Sequence, residues 1–257
     1  MTTVRSEDRA DGVRLLTLDR PPANAITPAL LRDLSAALDD ARDDDAVRAV
    51  VLTGHGRFFS AGLDLRGGID FQALSSTGTP TDPFLALSSC LLTVLCFPKP
   101  AVAMLRGHAI AGGLILLLAC DYRLGLDGEY RIGLNEVAIG ASFPKAAFEI
   151  VRLRLTHQQA SELLLGAALY PAAQATRLGA VDELLPAASF EETVFRRAAR
   201  LGSFPRSAYA HTKAALVAET IARIESETPE EAQRTAAVWL SAESVTARAT
   251  QAQKLSS

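Results

Sequence analysis

The first residue with chemical consequences is a glutamate set in an apolar run. In YRIGLNEVAIG, residues 130–140, Glu136 stands among Ile132, Leu134, Val137, Ala138 and Ile139. A carboxyl in such surroundings loses solvation of its charged form, so its pKa rises and it suits general-base work near neutral pH. The plainer reading is a glutamate that caps or ion-pairs at the surface, as most do. A second segment, GHAIAGGLILLLACDYR (residues 107–123), places Gly112 and Gly113 where an apolar helix begins. Unpaired N–H groups and the positive end of the helix dipole then point outward together, which suits a developing oxyanion. Paired glycines also permit close helix–strand packing, and alone this signal is weak. The third segment is FFSAGLDL, residues 58–65, where Ser60, Ala61 and Gly62 are small enough for backbone donors to approach a ligand. A tight turn is its structural alternative. A Ser60–His108–Asp121 triad is disfavoured because no GxSxG elbow is present. Asp121 reads instead as a structural hydrogen-bonder.

Alternating strands and helices must position these residues. Val13–Asp19 alternates as a strand should. Thr27 and Pro28 then open a helix as N-cap and first helical residue, with Leu31, Leu34, Leu38 and Ala41 on one face. Arg48–Thr53, closed by Gly54, suits a strand buried on both faces. Residues 66–83, RGGIDFQALSSTGTPTDP, read as a loop, followed by a helix over Leu85–Phe97 that Pro98 and Pro100 end. Ala101–Leu105 is a buried strand. Gly107–Gly113 reads as a turn into a helix over Leu114–Ala119, and Tyr122–Leu126 returns as a strand. From Pro144 onward the pattern is helical, including Thr156–Leu165, Pro171–Leu178 and Phe190–Leu201. It resumes after Pro205, and Pro229 behind Thr228 starts a further segment. No internal repeat is visible. The expected fold class is α/β, with a core over residues 1–190 and a helical region over 191–257.

Composition removes several functions. With 257 residues, 49% of them hydrophobic and 21% charged, the chain can bury a sizeable core. A net charge of −3 without basic runs argues against nucleic-acid binding. Cys90, Cys96 and Cys120 are odd in number and set among apolar residues, which reads as buried thiols in a reducing compartment. The four histidines are isolated, and no spacing suggests a metal site. Residues 1–11 are polar, unlike a signal peptide, and the last residues are not a peroxisomal signal. Ala109–Cys120, the most apolar stretch, is too short to span a bilayer. A cytoplasmic protein with no membrane partner is expected.

Taken together, the three segments resemble the crotonase (enoyl-CoA hydratase/isomerase) superfamily, in its order and at familiar separations. LDRPPANAIT, residues 18–27, resembles the family's opening as well. The resemblance implies a ββα spiral core, a helical C-terminal region that builds trimers or hexamers, and an acyl-CoA thioester substrate, with coenzyme A part of that substrate and no further cofactor. It implies a thioester carbonyl held between two backbone N–H groups, carried onto Ala61 and Gly112. A substrate-lining stretch falls on Ala61, Gly62, Leu63, Asp64 and Leu65, with Asn135 beside the base Glu136.

One departure bears on the reaction. Hydratases of the family use two glutamates, and the first would fall at position 115, where this chain has Ile115. Δ3,Δ2-Enoyl-CoA isomerases of fatty acid metabolism also carry an apolar residue there and need a single base. The isomerase reading implies that Glu136 moves a proton from C2 to C4 of a 3-enoyl thioester through a dienolate. Two other readings stand beside it: another crotonase enzyme, such as a hydratase or thioester hydrolase, and an acyl-CoA-binding protein without turnover. The acyl pocket is expected from residues 66–97 and 141–150. In the latter, Lys145 has no assigned role, and Glu149 is expected to be exposed, or a second acid if turned inward.

Overall fold

The computed structural model describes residues 2–66, 70 and 83–254. The loop expected over 66–83 therefore lies almost wholly outside the described residues. β1 (Val4–Asp8) and β2 (Val13–Leu18) form an antiparallel pair, and α1 (Pro28–Asp43) follows. α1 starts as its sequence requires: the Thr27 hydroxyl accepts a hydrogen bond from the Leu30 N–H, and Pro28 occupies the first turn.

Three ββα turns come next. They are β3 (Ala49–Gly54), β4 (Phe58–Ser60) and α2 (Pro83–Leu95); β5 (Ala101–Leu105), β6 (His108–Ile110) and α3 (Gly112–Ala119); then β7 (Tyr122–Leu126), β8 (Arg131–Gly133) and α4 (Lys145–Arg154). In each turn the first strand joins a six-stranded sheet of order β1-β2-β3-β5-β7-β10, where β10 is Glu183–Leu185. The second joins a four-stranded sheet of order β4-β6-β8-β9, where β9 is Leu169–Pro171. This is the spiral that the resemblance implies. Hydrogen-bond topology is what repeats, so no self-similarity needed to show in the sequence.

Apolar runs are sorted by parity along the strands. In β3, Val50 and Leu52 join the main core with α1 and α2, while Ala49 and Val51 face the other side of the sheet. There α7 (Phe190–Gly202) covers them with Phe190, Val194, Ala198 and Leu201. All eight residues of α3 are buried, so it is a central helix apolar all round. After α5 (His157–Gly166) and α6 (Ala172–Arg177), the last helices are α8 (Arg206–Glu225), α9 (Pro229–Leu240) and α10 (Ala242–Lys254). Thr228 and Glu231 close a reciprocal cap at the start of α9. No helix among the described residues is long and apolar enough to cross a membrane.

Several expectations need correction. The polar N-terminus contains β1, where only Val4 is buried, so no alternating pattern marks it. The turn expected over Gly107–Gly113 holds β6, and α3 begins at Gly112 rather than Leu114. The C-terminal half contains β9 and β10 besides helices. Strands of three residues are too short to carry a periodicity; their pairing partners define them. Cys96 is exposed, unlike Cys90 and Cys120, because apolar sequence neighbours do not bury a residue on the outer side of a helix end. Glu149 is buried, at 2% exposure, because Arg152 and Arg223 reach its carboxylate at 3.0 and 2.7 Å. Lys145 lies 3.6 Å from Glu231 and ties α4 to α9.

Candidate active site

β4, β6 and β8 are parallel neighbours, so their C-terminal ends open on one edge of the small sheet. The three chemical segments are the chain that leaves those ends: residues 61–65, 111–115 and 134–140. Ligands gather in such crevices beyond the carboxyl ends of parallel strands. Here a cavity of about 650 Å3 forms, lined by Ala61, Leu63, Asp64 and Leu65 from the first segment. Gly112 and Ile115 line it from the second, and Asn135 and Glu136 from the third.

Gly62, also expected to line it, stands behind that wall. Its φ is +80°, and a Cβ there would lie 2.8 Å from the Ala111 Cβ. A Cβ on Gly113 would lie 2.3 Å from the Ser60 carbonyl oxygen. These two glycines let the first and second segments pack backbone against backbone. Gly112 is different, since a Cβ there would make ordinary contacts, the nearest with the Ile26 side chain at 3.4 Å. Ala111, just before it, is held at φ 54° and ψ −132°, a sparsely populated conformation that costs about 1–3 kcal/mol.

The donor assigned to Ala61 needs correction. Its N–H donates to the Ala23 carbonyl at 3.0 Å and is not available to a ligand. Two residues on, Ile26 bridges the first segment: the Ile26 N–H donates to Gly62 O at 2.8 Å, and Asp64 N–H donates to Ile26 O at 3.0 Å. Pairing to the residues on either side turns the Leu63 N–H away from Ile26. It makes no hydrogen bond among the described residues, nor does the Gly112 N–H at the start of α3. The Leu63 nitrogen lies 3.9 Å from where a Gly112 Cβ would project, so these two free donors are neighbours on the cavity wall.

Glu136 is 7% exposed, and its Oε2 is buried without a hydrogen-bond partner. Burial pushes its carboxyl from an ordinary 4.5 up to about 8, outweighing the hydrogen bond from its own backbone N–H. The Asn135 Oδ1 beside it is also buried and unpartnered. Two orphaned acceptors on one cavity wall point to a ligand, because unpaired buried polar atoms are costly. Glu136 O accepts from the Ile139 and Ala141 N–H groups at 3.0 and 2.8 Å, which holds the turn rigid. The other carboxylate on the cavity wall among the described residues is Asp64, held by Arg20 at 2.7 Å and by the Arg66 N–H at 2.9 Å. Glu149 does not reach the cavity, which removes it as a second acid.

No triad forms. Ser60 Oγ donates to Asn24 O, and His108 Nδ1 accepts from the Arg131 N–H. Asp121 takes bonds from the Ala101 N–H, the Tyr209 hydroxyl and Lys213, a structural role. Asn24, in LDRPPANAIT, donates to His55 O and Phe58 O and so ties that loop to β4. Sequence reasoning missed Arg20 and Trp239 on the cavity wall. Arg20 follows β2 and its only signal was the motif around it, while Trp239 comes from α9 and carried none.

Residues 8–249 match the enoyl-CoA hydratase/isomerase family model. A putative enoyl-CoA hydratase of Thermus thermophilus is 39% identical over 63% of this chain and 63% of its own length. The human mitochondrial enoyl-CoA delta isomerase 1 is 29% identical over 84% of this chain and 71% of its own. The crystal structure of human mitochondrial delta3-delta2-enoyl-CoA isomerase superposes with a TM-score of 0.89 at 26% identity, covering 99% of this chain and 98% of that one. Against the curated relatives it matches first, the chain spans 63% and 48% of their lengths. The fold, the segments beyond β4, β6 and β8, and a match over nearly the whole chain agree: the chain belongs to the enoyl-CoA hydratase/isomerase family.

Proposed function

We propose that the protein isomerises 3-enoyl-CoA thioesters to 2-enoyl-CoA thioesters, with Glu136 moving the proton. The observation that carries this reading is a single unpartnered buried carboxylate, among the described residues, on a cavity wall whose other candidate acid position is Ile115, 1% exposed. The thioester oxygen accepts from the Leu63 and Gly112 N–H groups, in place of the Ala61–Gly112 pair that the resemblance implied. Charge developing on that oxygen also meets the positive end of α3. Glu136 takes a proton from C2, the dienolate forms with its charge on the oxygen, and the same carboxyl returns the proton to C4. A pKa near the working pH makes removal and return comparably easy, which a one-group shuttle needs. Ile115 keeps that region apolar and disfavours capture of the dienolate by water.

One observation favours hydration as a second reading: Asn135 Oδ1 offers another free acceptor beside Glu136 that a water could bridge. Turnover of 3-enoyl-CoA and 2-enoyl-CoA, assayed side by side, separates the two. Isomerisation without hydration is the expected result; efficient hydration by the parent protein overturns the isomerase reading. Trimeric or hexameric assembly through residues 191–257 belongs to the same proposal, as does a cytoplasmic location. Light scattering should give a particle near three or six times 27.3 kDa, and a monomer at micromolar concentration contradicts it.

A further inference from the structure

We infer that Trp239 is the fixed end wall of the acyl pocket and selects among thioesters by acyl-chain length. This rests on the acyl-CoA reading above. The cavity wall is uneven in chemistry: Arg20, Asp64 and Arg66 make one part polar, whereas Leu87, Ile139, Phe143, Ala147 and Trp239 make another apolar. With a thioester carbonyl at Leu63 and Gly112, only the apolar part suits a hydrocarbon tail. Trp239 belongs to a small apolar cluster with Phe84, Ala141 and Ala236, against which Leu63 and Ile139 also pack. It therefore stands close to both the oxyanion donor segment and the Glu136 turn.

The indole is held on several sides. Its Nε1–H donates to Ser142 O at 2.8 Å, Phe84 meets it edge-on at 5.1 Å, and the Arg248 guanidinium lies over its ring at 4.8 Å. Arg248 also donates to the Trp239 carbonyl and, at 3.4 Å, to that of Gly140. At 2% exposure, with its ring held this way, Trp239 cannot swing aside cheaply. A wall that cannot yield rejects a longer tail by overlap, whereas a soft one would adapt.

The chain has one tryptophan, so its emission reports on this wall alone. Saturated acyl-CoAs of increasing length should change that emission, with binding followed in parallel by calorimetry, while free CoA should not. Trp239→Leu and the milder Trp239→Phe, each checked for folding by circular dichroism, should raise kcat/KM for a long-chain relative to a short-chain 3-enoyl-CoA. About tenfold is expected, the scale on which apolar pockets discriminate by a methylene or two. Calorimetric binding of every acyl-CoA with unchanged emission would overturn the wall and leave the proposed reaction standing. An unchanged length ratio in a folded Trp239→Leu or Trp239→Phe would do the same. An emission response without turnover of 3-enoyl-CoA would support the wall and refute the isomerase reading. If no acyl-CoA binds, both fail.

Discussion

Replacing Glu136 by Gln separates what the carboxyl does in catalysis from what its burial costs the fold. The amide keeps size and polarity but cannot take a proton, so turnover of 3-enoyl-CoA should fall by about 10²- to 10⁴-fold with little change in acyl-CoA affinity. The parent's kcat/KM should rise with pH up to about 8 and then level, because Glu136 must first lose its proton. Stability should move the other way. Between its ordinary 4.5 and about 8, the folded protein keeps a proton that the unfolded chain has released, so the parent loses stability as pH rises across that window. Once Glu136 is ionised in both states, the loss is on the order of 5 kcal/mol. The Gln variant has nothing there to ionise. Its Tm relative to the parent should therefore climb by about 10 °C between acidic and alkaline buffer. Steady-state kinetics and thermal melts on both proteins, across the same pH series, test the two parts. A Gln variant that turns over like the parent refutes Glu136 as the base, and a Tm difference that stays flat with pH refutes the buried-carboxyl argument.

Three further outcomes are expected. Gly112→Pro removes one free N–H at the first position of α3, where proline is tolerated, and should lower turnover by about 10²- to 10³-fold in a protein shown folded by its circular dichroism; full activity would remove Gly112 from the mechanism. Ile115→Glu places a second carboxyl on the cavity wall and should add weak hydration of 2-enoyl-CoA, weaken isomerisation and lower Tm, since the new carboxyl is buried where Ile115 was 1% exposed. In a thiol titration of the native protein only Cys96 should react, because Cys90 and Cys120 are buried and burial pushes their thiols up to about 11 and about 12; denaturation should release all three.

Much of this protein was legible in short windows of sequence. Thr27 with Pro28, and Thr228 with Pro229, mark helix starts because a cap and a first turn involve only neighbouring residues. Glu136 could be singled out because it stands in an apolar run of its own sequence, whereas Ile115 drew notice only through the resemblance, which sets a glutamate of the hydratases at that position. What escaped depends on partners from elsewhere in the chain. Whether the Ala61 or the Leu63 N–H is free is a matter of register, set when Ile26 pairs with Gly62 and Asp64 and Ala23 takes the Ala61 N–H. A shift of one residue exchanges free and bonded donors, and no local pattern encodes that choice. Glu149 looked like a surface residue until Arg223, 74 positions away, reached its carboxylate. Trp239 became a cavity wall only when α9 folded back over the turn that carries Glu136. Periodicity and capping are local and so were written in the sequence, whereas the satisfaction of each buried polar group is decided by long-range packing.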